Sequence, residues 1–131
     1  MDEKKPVIIC TGMCNTKGNE IKFLAERVED CGGEALMVDL SLGASVNFAD
    51  IGVEEVLHAA GVEQANTVFT APRAEAIETV SKAGAEMALK LLEEGRCDGI
   101  ISWAGSVGTT VATHVMRALP FGVPKVMLTD M

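Results

Sequence analysis

Residues 6–11, Pro-Val-Ile-Ile-Cys-Thr, constrain this chain more than any other stretch. The run is β-branched and apolar without alternating with polar residues, so it suits a strand buried on both faces, as in a parallel sheet with helices above and below. A Gly-containing segment, residues 12–18, follows. The spacing of Ile21, Leu24, Ala25 and Val28 then predicts a helix from about residue 18 to 31, stopped by Gly32-Gly33. The same order of pieces recurs along the chain. Residues 34–40 read as a second strand, 41–52 as a polar loop, and 53–60 as a short helix ended by Gly61. Residues 63–72 carry no regular pattern. Residues 74–94 form the strongest helical pattern, with Ile77, Val80, Gly84, Met87, Ala88 and Leu91 on one face and Gly95 as its stop. Residues 97–103 read as a third strand, 104–110 as a second Gly-rich loop, 108–119 as a helix burying Val111, Val115, Met116 and Leu119, and 125–129 as a fourth strand.

Strands that alternate with helices imply right-handed crossovers and a parallel sheet. The expected fold class is therefore α/β, a three-layer αβα sandwich with a Rossmann-like parallel sheet of about four strands. The long helix before the third strand suggests a crossover to the far side of the first, giving strand order 2-1-3-4. The 131 residues suit one domain spanning 1–131. Apolar residues at 48% and charged ones at 23% mark a globular chain. A net charge of −8 argues against nucleic acid as a partner, because phosphate tracking needs a basic stripe. With one Trp and no Tyr, a base-stacking platform is not expected either. No apolar run is long enough to span a bilayer, so no membrane partner is expected, and the charged start Met1-Asp2-Glu3-Lys4-Lys5 lacks signal-peptide character. Cys10, Cys14, Cys31 and Cys97 form no C-x-x-C pair and have no histidine at metal spacing, which points to no metal site and to reduced thiols in a cytoplasmic setting.

In an open parallel sheet, ligands bind beyond the carboxyl ends of the strands where strand order reverses. Here that is between the first and third strands, which lead into the two loops richest in Gly, Ser and Thr. Each loop feeds a helix N-terminus, where free N–H groups favour an anion. The first loop, Gly12-Met-Cys-Asn-Thr-Lys-Gly18, is neither a Walker A motif nor a G-x-G-x-x-G fingerprint. Gly12 could admit a phosphate, Thr16 donate a hydroxyl and Lys17 neutralise charge; equally, Asn15 or Thr16 could be a plain N-cap with Lys17 solvated. The second loop, Gly105-Ser-Val-Gly-Thr-Thr110, could form an anion nest with hydroxyls from Ser106, Thr109 and Thr110, or serve only as a helix cap and tight turn. Asp39 stands where an acid could hold a ribose; equally, it could be a solvated strand-end aspartate or a helix cap. Arg73 could clamp a phosphate from the same rim, or stand idle in solvent. Trp103 could stack on a base, although burial is the commoner fate. His58 and His114 have no acid or thiol at catalytic spacing, so no catalytic residue is assigned and enzymatic activity is left open.

Residues 12–24 (GMCNTKGNEIKFL), Val38-Asp39, Arg73-Ala-Glu-Ala, Gly105-Ser-Val-Gly-Thr-Thr and the run from Met116 to Met127 (MRALPFGVPKVM) together resemble the ATP-binding-domain family related to the tomato mosaic virus resistance protein, many of whose bacterial members are uncharacterised. The resemblance covers essentially the whole chain. It implies an N-terminal Rossmann-like domain that binds ATP, with or without Mg, through Gly12, Thr16, Lys17 and Gly18 and through Gly105, Ser106, Gly108, Thr109 and Thr110. With Asn15, Asp39 and Arg73, these make up the candidate nucleotide-binding set. The plant branch acts by binding a viral replication protein, and no settled reaction comes with the family. Relatives commonly carry Gly-Thr-Leu-Asp-Thr-Lys-Gly in the first loop, where this chain has Met13 and Asn15 at the Thr and Asp positions. They commonly carry Gly-Gly-Ser-Gly-Gly-Thr in the second, where it has Ala104 and Val107 in place of two glycines. Family members usually continue into a larger second domain. The resemblance thus implies a C-terminal domain as partner, and a chain ending on its fourth strand is expected to leave an edge for that domain or a second copy to cover. The alternatives to nucleotide binding are an assembly module with a degenerate site and one half of a larger enzyme.

Overall fold

A computed structural model describes residues 4–130; Met1–Glu3, with their charged start, and Met131 lie outside the described residues. The chain runs β1 (Val7–Gly12), α1 (Cys14–Asp30), β2 (Glu34–Asp39), α2 (Val53–Ala59), α3 (Asn66–Phe69), α4 (Arg73–Glu93), β3 (Gly99–Ala104), α5 (Ser106–Ala118) and β4 (Lys125–Thr129). The sheet is four-stranded with order β2-β1-β3-β4, as the crossover argument expects. All three pairings are parallel: Cys10 lies beside Met37 on one side and Ile101 on the other, and Ile101 beside Val126.

The strand residues divide by parity. Val7 and Ile9 of β1, Leu36 and Val38 of β2 and Ile100 of β3 join α2, α4 and α5 in the larger apolar cluster. Cys10 and Met37 join Ile21, Leu24 and Ala25 of α1 in the smaller one. Two-sided burial is why β1 reads as an unbroken apolar run. Each fully buried Ile or Leu, such as Ile9 or Leu91, contributes about 2 kcal/mol relative to exposure. In α4, Val80, Gly84, Met87, Ala88 and Leu91 are buried as the periodicity predicts. Gly84 is required by the packing: a Cβ there would lie 3.0 Å from Leu40 and from Val115 of α5.

Two helix starts and the start of β3, at Gly99 rather than 97, differ from the sequence reading. Helix α1 begins at Cys14 rather than near residue 18, and α5 at Ser106 rather than 108. Gly, Asn, Ser and Thr suggested loops, yet these residues also suit first helical turns once tertiary partners meet the free amides. The only non-helical residue inside α1 is Lys17 (φ −117°, ψ 29°), just before Gly18. Within the unpatterned stretch, residues 66–69 form the single turn α3, with Val68 buried.

The two faces of the sheet are covered unequally. Helix α5 packs on β1, β3 and β4, whereas α1 packs on β1, β2 and β3 and leaves β4 bare. No helix among the described residues is long and apolar enough to cross a membrane.

Candidate functional site

The carboxyl ends of β1 and β3 meet at the reversal of strand order, and α1 and α5 start within two residues of them. Gly12 is needed here because a Cβ would lie 2.9 Å from Ile21 and 3.3 Å from the Trp103 carbonyl. Gly108 is needed for the same reason: a Cβ would fall 2.8 Å from that of Ala104 and 3.6 Å from the Met13 sulfur. The first turn of α5 is thus seated directly on β3, with the Met13 thioether against it.

The two helix starts differ in what they offer. At α1, the Cys14 amide donates to Asp39 Oδ1 (3.1 Å) and the Asn15 amide to Ser41 Oγ (3.1 Å). The amides of Thr16 and Lys17 donate to the Met13 carbonyl. All four first-turn donors are therefore met within the protein. Asp39 is fully buried, and its Oδ1 also accepts from the Ser41 amide and hydroxyl. Its complete burial rules out a solvated strand-end acid, and its bond to the Cys14 amide makes it a helix cap delivered from the neighbouring strand. Asp39 Oδ2 and Ser102 Oγ are buried without a partner among the described residues. Burial, and then the Asp39 charge beside it, push the Cys14 thiol well above its ordinary pKa.

At α5 no side chain caps the helix, and no acceptor among the described residues meets the amides of Ser106, Val107 and Gly108. The hydroxyls of Thr109 and Thr110 turn back to the carbonyls of Gly105 (2.6 Å) and Ser106 (3.2 Å), and Thr109 Oγ1 also meets Thr129 Oγ1 at 2.9 Å. Ser106, which is exposed, carries the only hydroxyl of this turn left free of such a bond.

Lys17 reaches this edge from the kink in α1. Its Nζ donates to Asp130 Oδ2 at 2.7 Å, and the Trp103 indole N–H donates to the same oxygen at 3.2 Å. Asp130 is held in place by its amide, which donates to the Ala104 carbonyl. The shared hydrogen bond raises the Lys17 pKa and lowers that of Asp130. Asp130 is exposed and Lys17 only half-buried, so solvent still screens the pair.

The structure therefore brings together Gly12, Lys17, Gly105, Ser106, Gly108, Thr109 and Thr110 at one edge. It sets the other candidates elsewhere. Gly18 faces the Phe48 ring, which would lie 2.9 Å from a Cβ there. The Asn15 side chain stands near Gly43, and the Thr16 hydroxyl bonds the Met13 carbonyl. Arg73 is exposed at the start of α4 and lines a separate hollow of about 150 Å³ with Leu42 and Phe69. Sequence reasoning missed Met13, Ser41 and Asp130. Ser41 had a local signal, two residues after Asp39, but Asp130 lies 113 positions from Lys17 and had none. His58 is exposed and His114 half-buried. No group of three His, Cys, Asp or Glu that could hold a metal occurs among the described residues.

Fold and edge define a class: an open, parallel αβα domain with one unfilled helix N-terminus at its switch point. The chain belongs to the uncharacterised protein family UPF0261, whose N-terminal domain matches residues 6–131. Among similar proteins, a UPF0261 protein of Clostridium tetani is 34% identical over 125 residues, covering 95% of this chain and 31% of that protein. A UPF0261 protein of Brucella suis is 31% identical over 121 residues, covering 92% of this chain and 29% of that one. The ToMV resistance protein Tm-1 of Solanum lycopersicum is 29% identical over 140 residues, covering 94% of this chain and 18% of that one. The chain thus spans less than a third of the length of these relatives.

Proposed function

We propose that this domain binds the phosphates of a nucleotide, ATP, at the first turn of α5. One observation carries the reading: the amides of Ser106, Val107 and Gly108 have no acceptor at the point where strand order reverses. An oxyanion there would gain three N–H donors, the Ser106 hydroxyl and the positive end of the α5 dipole. Lys17, held at this edge by Asp130, would exchange that carboxylate for phosphate. The cradle has one helix rather than two, because Asp39 and Ser41 already fill the α1 start. The donors present suit an anion and not a bare metal, so any Mg²⁺ would arrive with the nucleotide. The net charge of −8 opposes an anionic ligand, which makes Lys17 and low ionic strength matter. Free thiols at all four cysteines suit a reducing, cytoplasmic setting.

Calorimetric titration with ATP, with and without Mg²⁺, tests the reading. Binding that weakens on Lys17→Ala and on added salt is expected. No heat and no thermal shift at millimolar ATP would overturn it.

A further inference from the structure

Helix α1 leaves half of its side of the sheet bare. Ile8, Ile101 and Trp103 are only partly buried there, and on β4 Val126 is 51% and Leu128 39% exposed. Phe23 of α1, 49% exposed, leans edge-on against Trp103 with ring centroids 6.4 Å apart, extending the apolar surface along the helix. Two grooves run beside α1 here: one of about 350 Å³ lined by Ile8, Leu24 and Ile101, and one of about 250 Å³ between Phe23 and Trp103. Parity explains the asymmetry. Met127 of β4 points to the covered side and packs against the larger cluster, while its neighbours Val126 and Leu128 point to the bare side. β4 pairs only with β3, so its outer edge also offers unpaired backbone groups. Contiguous apolar surface of this kind marks an interface.

We infer that this half-face and the β4 edge are the seat of the polypeptide that follows the matched segment in the longer relatives, as a further parallel strand on β4 and an amphipathic helix over Ile101, Trp103, Val126 and Leu128. Two observations select that occupant. The relatives from Clostridium tetani and Brucella suis are matched over only 31% and 29% of their length, and the match is to the family's N-terminal domain, so in them more chain is tethered to this one. Tethering supplies an effective concentration in the millimolar range, enough to seat a modest surface. Handedness does the rest. The β3-α5-β4 crossover puts α5 on the α4 side, and a right-handed crossover to a strand beyond β4 stays on that side. A helix reaches the bare side only by returning after the last outward strand.

The test compares amide exchange over residues 125–129 in this chain with exchange of the matching strand in the whole Clostridium tetani protein, and in a chimera of that protein carrying this chain as its N-terminal segment. Exchange slowed at least about tenfold in the longer proteins, with blue-shifted Trp103 emission in the chimera, is expected. Val126→Lys with Leu128→Lys should return exchange in the chimera to the level of the short chain, while moving the melting temperature of the short chain by only about 2–4 °C. Equal exchange in the short chain and the whole relative overturns the inference, and that comparison stands if the chimera does not fold. A short-chain dimer abolished by the same substitutions would also overturn it, giving the face to a second copy.

Discussion

Asp39→Ala removes one buried carboxylate and with it the junction between β2 and the start of α1. Asp39 Oδ1 accepts from the Cys14 amide (3.1 Å), the Ser41 amide (3.0 Å) and the Ser41 hydroxyl (2.5 Å). Alanine leaves two backbone donors buried without acceptors, each costing about 1–3 kcal/mol. The Cys14 share overlaps with the loss of a helix cap, typically about 1 kcal/mol. The expected total is about 3–4 kcal/mol, which for a chain of this size lowers Tm by about 10–15 °C. Asp39→Asn keeps an acceptor at the Oδ1 position but sets an NH₂ at Oδ2, where no acceptor stands, and should cost about 1–2 kcal/mol. Urea denaturation followed by far-UV circular dichroism, with equal m-values, measures both. A loss below about 1 kcal/mol for Asp39→Ala, or an asparagine variant weaker than the alanine one, would refute the capping account.

Gly108→Ala should cost about 1–3 kcal/mol and weaken any nucleotide binding, because its Cβ meets that of Ala104 at 2.8 Å and lifts α5 off β3; unchanged melting and titration would contradict this. Of the four thiols only Cys31 is exposed, so a thiol reagent at pH 8 should modify one cysteine promptly and the rest only on unfolding. Burial, and then the nearby carboxylates of Asp50 and Glu29, raise Cys10 from 9.0 to about 12, so the folded state favours the neutral thiol. Stability from this group is full below pH 9 and is lost as pH rises toward 12, with a slope of about 1.4 kcal/mol per pH unit. Cys10→Ala should remove this group's share of the fall in denaturation curves taken between pH 9 and 11, leaving the shares of the other buried thiols, Cys14 and Cys97. Gly84→Leu should unfold the chain or cost more than about 3 kcal/mol, since Leu40 and Val115 already stand 3.0 Å from a Cβ there; a stable variant would show that α4 and α5 can separate.

Much of the fold is written locally. The unbroken apolar run of β1, the 3.6-residue spacing in α1, α4 and α5, and the long helix before β3 are short-range patterns, and handedness turns them into the order β2-β1-β3-β4. The place of the candidate site follows from that order, since two strands leading into Gly-rich segments must meet where it reverses. The site's contents are long-range and needed the folded chain. Asp39 could face a ligand or cap a helix, and only packing turned it inward to Cys14, 25 residues away. That spent the α1 amides and left those of α5. Lys17 met Asp130 across 113 residues, a pairing no spacing rule encodes. The bare half-face is a tertiary fact as well: Val126 and Leu128 look like ordinary buried strand residues until the structure shows that α1 stops short of β4. Periodicity tells which side of a strand a residue points to, and only the packing of the other elements decides whether anything covers that side.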